Sequence, residues 1–260
     1  MKYETLKIEI KSNIAYITLN RPERLNSFDI KLGNELYNAL KKISKDNNIR
    51  AIVMKGTGKG FCGGGDIKEM YDAENKTKFL RELTKSIHKC VIEMRTMEKP
   101  VIAAINGYAF GAGLSIALAC DIIIASKNAK FGTAFIGIGL APGCGTQFFT
   151  NIVGYQRACE YILTAKIFSA EKAFELGLIN SIVEPNKLDF AIEEFTSKFR
   201  SLPPIAIGKA KILINKSLEN SMIDHLELES LTASKSAGSD DFMEGVTAFV
   251  EKRKPVFKGR

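Results

Sequence analysis

Two glycine-rich segments decide how this chain reads: Lys59-Gly60-Phe61-Cys62-Gly63-Gly64-Gly65-Asp66-Ile67-Lys68, and Ala104-Ile105-Asn106-Gly107-Tyr108-Ala109-Phe110-Gly111-Ala112-Gly113. Each follows a compact apolar run, Ala51 to Met54 and Val101 to Ala104, and each precedes a segment with helical character. A strand that turns into a helix through glycines aims main-chain N–H groups and the helix dipole at one spot. Glycine also lets a ligand approach the backbone closely, because no Cβ intervenes. Two such turns facing each other would form an oxyanion hole, a pair of N–H donors for a developing negative oxygen.

Gly58 to Gly63 also fits G-x-G-x-x-G, so a dinucleotide fold has to be weighed. The helix begins only after Asp66, too late for a pyrophosphate to meet its N-terminus. No strand-end acid follows about 20 residues on, and Glu82, near that distance, lies within a helical pattern. The dinucleotide reading is weak.

Outward from the two turns, the first two-thirds reads as repeated strand–strand–helix units. Leu6 to Ile10 and Ile14 to Leu19 alternate as strands joined at Lys11-Ser12-Asn13, a hairpin signal. Ser27 to Asp46 has helical spacing at Leu32, Leu36, Leu40 and Ile43. Asp66 caps a helix that continues, after the break Asp72 to Asn75, through Phe79 to Met97. The second turn leads into a helix at Leu114 to Cys120 and a strand at Ile122 to Ala125. After Thr146 the pattern is helical to the end. Strands alternating with helices predict an α/β fold with a mostly parallel core.

With 37 Lys and Arg against 29 Asp and Glu, the 260-residue chain carries a formal charge of +8. The hydrophobic share of 45% excludes intrinsic disorder. No apolar run reaches the roughly 18 residues that span a bilayer, since Gly111 to Ala125 is broken by Ser115 and Asp121. Met1 to Ile10 resembles neither a signal nor a transit peptide. No membrane association and a cytoplasmic location are therefore expected. The five cysteines form no C-x-x-C pair and the two histidines, His88 and His225, lie far apart, so neither a metal site nor a disulfide framework is expected. The positive charge suits either a solvated lysine-rich surface or attraction to a polyanion, whether nucleic acid or a phosphate-bearing cofactor.

The two turns, with Asn20-Arg21-Pro22, Leu25-Asn26, Cys120-Asp121-Ile122, Ile138 to Pro142, Leu163-Thr164, Ser169-Ala170, Gly177-Leu178-Ile179, Glu244-Gly245 and Phe249 to Phe257, resemble the enoyl-CoA hydratase/isomerase (crotonase) family over nearly the whole chain. Ala112 to Asp121 and Ala134 to Leu140 look closest to the ring-epoxide isomerases of phenylacetate breakdown. The resemblance implies the crotonase (ClpP-like) fold. Residues 1–200 would form a spiral core of ββα units carrying the site, and residues 201–260 a helical oligomerisation region. It implies an acyl-CoA substrate, with coenzyme A as part of the substrate and no separate cofactor, and a homotrimer or dimer of trimers. The oxyanion donors carry over to the N–H groups of Gly65 and Ala112. Contacts to the coenzyme A moiety carry over to Arg24, Gly65, Asp66, Ile67, Lys68 and Ala112, and to Lys252, which would reach the nucleotide of a neighbouring subunit. Phosphates of the coenzyme give the surplus positive charge a use.

The departures matter equally. Hydratases of the family carry two glutamates, and here Ser115 and Phe135 stand at those positions. Isomerases of the phenylacetate type carry an aspartate where Gly143 stands. Without a carboxylate, water is neither deprotonated nor oriented, and a serine hydroxyl is no base near neutral pH. Isomerase- or decarboxylase-type chemistry is therefore expected ahead of hydration. Two alternatives stand beside it: a hydratase (lyase) with a non-standard acid or base, and an RNA-binding homologue. Nucleic acid is not the expected partner, since the lysines form no dense cluster interleaved with aromatics.

Other residues have plain readings. Asp121, at the end of an apolar helix, serves structure. Glu69 and Tyr71 fit an exposed helix face, Cys62 and Cys144 fit small buried thiols, and His88 fits a packed or surface position. Phe131, Phe135 and Ile136 suggest an apolar acyl pocket, although an aromatic run also suits plain core.

Overall fold

The computed structural model describes residues 3–260. The hairpin pairs β1 (Leu6–Lys11) with β2 (Ile14–Leu19), in register from Leu6 opposite Leu19 to Lys11 opposite Ile14. Ser12 and Asn13 turn it with φ of 49° and 65°, the paired left-handed conformation of a two-residue turn whose twist matches the strands. Helix α1 (Ile30–Ser44) starts later than its apolar spacing suggests, because Asp29 caps it by accepting the Leu32 N–H at 2.6 Å.

From there the chain makes a spiral. β3 (Ala51–Gly56) enters one sheet and β4 (Gly60–Cys62) a second, followed by α2 (Ile67–Asp72) and α3 (Lys76–Thr96). β5 (Val101–Ile105) and β6 (Tyr108–Phe110) repeat the step and lead into α4 (Ala112–Ala119). β7 (Ile122–Ser126) and β8 (Lys130–Gly132) repeat it again, ahead of a 3₁₀ turn (Ile136–Ile138), α5 (Thr146–Val153) and α6 (Tyr155–Leu163). β9 (Ile167–Ser169), α7 (Ala170–Glu175), β10 (Ser181–Val183), α8 (Leu188–Ser201), α9 (Pro204–Ser217), α10 (Met222–Ala237) and α11 (Asp240–Val250) complete the chain. The large sheet runs β1-β2-β3-β5-β7-β10 and is parallel from β2 onward; the small one runs β4-β6-β8-β9. This mixed α/β arrangement with a helical C-terminal region matches the fold that the resemblance implies.

The sequence reading missed β4, β6, β8, β9 and β10. The first four are three-residue strands of the small sheet, and two of them lie inside the glycine segments that read as loops. The chain after Thr146 is therefore less uniformly helical than its pattern suggests, since β9 and β10 interrupt it.

The central strands of the large sheet, β3, β5 and β7, are buried on both faces. Ile52, Met54, Val101, Ala103 and Ile105 face α1, α3 and α4, while Ile14, Ala51, Val53, Ile102, Ala104 and Ile124 pack against Leu188 and Ile192 of α8. Burial on both sides explains why these strands read as unbroken apolar runs. Phe131, offered as pocket lining, belongs to the core: it stacks on Phe168, which packs edge-on against Tyr161 and Phe149. A buried lysine docks the C-terminal helices. Lys211 of α9 gives its three ammonium donors to the carbonyls of Met94 (2.6 Å) and Lys99 (2.8 Å) and to Asp121 Oδ2 (2.7 Å). Asp121 also accepts the Val101 N–H at 2.8 Å, so its expected structural role is filled.

Candidate functional site

The first turn is built from Arg21 outward. The Arg21 guanidinium bridges Asp29 (3.0 Å) and Asp66 (3.1 Å) and donates to the Ser27 carbonyl. It thereby ties together the N-caps of α1 and α2. Asp66, buried, spends its other oxygen on the N–H groups of Lys68 (3.1 Å) and Glu69 (3.3 Å). Both oxygens of the Asp66 carboxylate are thus engaged, one in the ion pair and one in the cap. Asn26, fully buried, accepts the Arg21 N–H at 2.8 Å and donates to the carbonyls of Thr57 (2.9 Å) and Gly60 (3.0 Å).

The orientation of Gly65 follows from one bridge. Phe28 donates its N–H to the Gly64 carbonyl at 2.7 Å, and its carbonyl accepts the Asp66 N–H at 2.8 Å. Peptide groups alternate in direction along an extended chain, so the N–H of Gly65 points away from Phe28. The second turn presents Ala112 as the first residue of α4, where helical N–H groups lack partners within the helix. No main-chain carbonyl among the described residues takes the N–H of Gly65 or of Ala112.

The two turns touch. Gly64 has φ +114°, and a Cβ built there would lie 3.2 Å from the Phe110 carbonyl oxygen and 3.8 Å from the Ala112 nitrogen. At Gly113 a Cβ would lie 2.2 Å from the Cys62 carbonyl oxygen, so only glycine lets α4 seat against β4.

Gly65 and Ala112 line one cleft, of about 70 Å³. Its walls are Ile67 and Met70 of α2, Leu80, Leu83, Thr84 and Ile87 of α3, then Ala134, Phe135, Ile138, Leu140, Gly143 and Cys144. Thr84 turns its hydroxyl back to the Leu80 carbonyl at 2.8 Å. Burial pushes the Cys144 thiol up from its ordinary value, and that of Cys62 up to about 12, so both are neutral thiols. No carboxylate or imidazole is among the cleft-lining described residues.

Of the positions where family acids are missing, Phe135 and Gly143 reach this cleft and Ser115 does not. Ser115 is buried beside an almost filled void of about 10 Å³, and its hydroxyl meets the carbonyls of Gly111 and Cys144, each at 3.0 Å. His88, on α3, makes a 2.7 Å hydrogen bond to the Gly143 carbonyl, so the 139–145 segment is held from two sides. Ile136, expected in the pocket, is exposed at its rim instead.

The residues expected to meet coenzyme A divide. Ile67 lines the cleft, and Lys68 is exposed one residue further along α2. Arg24 is half-buried in the turn that supports the first glycine segment, where the Gly63 N–H donates to the Leu25 carbonyl at 2.8 Å. Lys252 is exposed beyond α11, and none of the cleft-lining residues comes from that region. The α3 wall was missed in the sequence. Positions 80, 83, 84 and 87 form a helical stripe, but such a stripe reads as core whether it faces the interior or a cleft.

The enoyl-CoA hydratase/isomerase family profile matches residues 9–260. A short-chain-enoyl-CoA hydratase of Clostridium acetobutylicum is 36% identical across the full length of both chains. A 1,2-epoxyphenylacetyl-CoA isomerase of Escherichia coli is 35% identical over 99% of each. Among solved structures, an enoyl-CoA hydratase from Bacillus anthracis superposes with a TM-score of 0.94 at 33% identity, covering 99% of this chain and 100% of that one.

Proposed function

The chain belongs to the enoyl-CoA hydratase/isomerase family of acyl-CoA enzymes, and from that premise we propose that it stabilises a thioester enolate at Gly65 and Ala112 without hydrating its substrate. The reading rests on one observation: the cleft into which both turns open has apolar walls and no carboxylate among its described lining residues. In this reading the thioester oxygen accepts the N–H groups of Gly65 and Ala112. Loss of one such donor typically costs about 10²–10³ in rate.

Chemistry that needs little from acid–base side chains suits these walls. In a decarboxylation, the electrons of the departing carboxylate's C–C bond flow into the thioester carbonyl and give the enolate directly, with carbon dioxide leaving. A double-bond or ring isomerisation through the same enolate must first lose an α proton and later regain one at another carbon. It therefore needs a proton carrier from outside the described lining, and decarboxylation is the branch these walls suit best. Hydration requires a positioned base for water, and such groups contribute about 10²–10⁴. The names of several relatives favour hydration nonetheless. That second reading needs a base from outside the described lining, for which exposed Glu69 on α2 is a candidate.

Coenzyme A contacts are proposed for Arg24, Asp66 through its main chain, Ile67 and Lys68, with Lys252 reaching a neighbouring subunit. We further assign residues 201–260 to assembly as a trimer or pair of trimers, supported by exposed Phe242, Met243, Phe249 and Val250. Three assays on one preparation separate the readings: loss of the enoyl-thioester chromophore of crotonyl-CoA, carbon dioxide release from malonyl- and methylmalonyl-CoA, and formation of that chromophore from a 3-enoyl-CoA. Brisk hydration with neither of the other activities overturns the proposal.

A further inference from the structure

The hairpin register leaves an unpaired strand edge. The Asn20 N–H donates to the Thr5 carbonyl at 2.8 Å, and the two-residue turn closes on Lys11 and Ile14. Thr5, Lys7, Glu9 and Lys11 therefore point their peptide groups at β2, and Leu6, Ile8 and Ile10 point theirs outward. β1 is the end of the large sheet, and no described residue accepts from or donates to those outward groups.

A groove of about 540 Å³ runs beside this edge, between β1 and α1. Leu6, Ile8, Ala39, Ile43 and Ile49 give it an apolar floor. Its rim carries Lys7, Lys42 and Lys45 against the single carboxylate of Asp46, and none of the three lysines forms an ion pair among the described residues. The Tyr3 hydroxyl is buried at this groove without a hydrogen-bond partner.

We propose that the β1 edge and its groove dock an extended acidic peptide segment of a partner protein by strand addition. Leu6 is buried, so main-chain hydrogen bonds to Ile8 and Ile10 supply the pairing, and alternate side chains of the segment meet the apolar floor and the lysine rim. Lysines on an edge keep apolar strands from pairing there. The same charges select a strand that carries glutamate or aspartate, so edge protection and partner choice come from one set of residues. The site is separate from the acyl cleft and independent of how that cleft reacts.

The probe is a fluorescein-labelled peptide of alternating glutamate and valine, titrated with the intact protein and followed by anisotropy. Saturable binding that weakens at least tenfold in Lys42→Glu/Lys45→Glu is expected. Because the Ile8 N–H points away from β2, Ile8→Pro removes an outward donor while sparing the hairpin ladder, and it should weaken binding to a similar degree. A peptide N-methylated at alternate residues gives the same information without altering the protein, and should also bind at least tenfold more weakly. Absence of saturable binding, or equal binding of the N-methylated peptide, overturns the proposal. Tighter binding of a single-stranded RNA that responds to the lysine reversals and not to Ile8→Pro overturns it too, by making the groove a phosphate site.

Discussion

Replacing Gly113 by alanine tests whether close packing of α4 on β4 sets the geometry of the candidate oxyanion donors. The new Cβ would stand 2.2 Å from the Cys62 carbonyl oxygen and 2.8 Å from both its carbonyl carbon and its Cβ. An ordinary contact needs about 3.5 Å, so the helix start must retreat from the strand by about 1.2–1.3 Å. The obstructing atoms include the main-chain carbonyl of Cys62, the last residue of β4, and cannot swing aside. Overpacking of this kind costs about 1–3 kcal/mol, and the upper end is expected here. For a chain of this size that lowers Tm by about 6–12 °C. The functional loss should exceed the stability loss. Ala112 precedes the substituted residue directly, and a displacement of about 1 Å at a reacting centre costs on the order of 10²-fold. Differential scanning fluorimetry reads the first quantity. Calorimetric titration with acetoacetyl-CoA, a thioester that readily forms an enolate, reads the second at a temperature where the variant is folded. A Gly113→Ala protein with unchanged Tm and undiminished affinity would refute the argument that this contact positions the N–H pair.

Four further outcomes are expected. Ala112→Pro, which deletes one N–H at a helix position that tolerates proline, should lower turnover of the true acyl-CoA substrate by about 10²–10³ while Tm changes little. Wild type should hydrate crotonyl-CoA very poorly; Phe135→Glu should raise hydration measurably, whereas Ser115→Glu should mainly destabilise, because position 115 is packed against Gly145 rather than open to the cleft. Sedimentation should give a trimer or hexamer at micromolar concentration, and a monomer would remove the assignment of residues 201–260. Stability should fall as pH rises from about 9 to about 12: Cys62 and Cys90 are each pushed up to about 12 by burial, so the unfolded chain loses these protons first. The slope approaches about 1.4 kcal/mol per pH unit for each thiol, and urea midpoints for Cys62→Ala/Cys90→Ala should show a shallower fall.

The large sheet was legible because each of its central strands is buried on both faces and so reads as a solid apolar run, Ile52 and Met54 to one side, Ala51 and Val53 to the other. The small sheet was not. β4 (Gly-Phe-Cys) and β6 (Tyr-Ala-Phe) are three residues long and flanked by glycines, and alternation over three residues does not separate a strand from a loop. The glycine turns themselves were legible, since strand, glycines and helix occur in order. Which side the Gly65 N–H takes was not, because it depends on Phe28, a residue far away in the sequence. The position of Ser115 was equally hidden. Its hydroxyl is claimed by the Cys144 carbonyl through a loop that returns from residues 139–145, and helical periodicity within α4, buried on all sides, does not distinguish cleft from interior.

Arg21 holds the caps of two helices in one guanidinium, and this has a consequence for how the protein tolerates change. Lysine, a single point donor on a flexible stem, does not reproduce a planar fork that spans Asp29, Asp66 and the Ser27 carbonyl. A random-mutagenesis screen scored by activity alone would therefore flag Arg21, Asn26 and Asp29 alongside the glycines, although none of the three lines the cleft. Such a map would draw the site larger than it is. Scoring the same library by expression and by ligand affinity together would separate residues that contact an acyl group from those that only hold the first turn in shape. The sequence freedom of the cleft walls, by contrast, should be wide, because hydrocarbon side chains such as Ile67, Met70 and Leu80 can exchange among themselves at small cost.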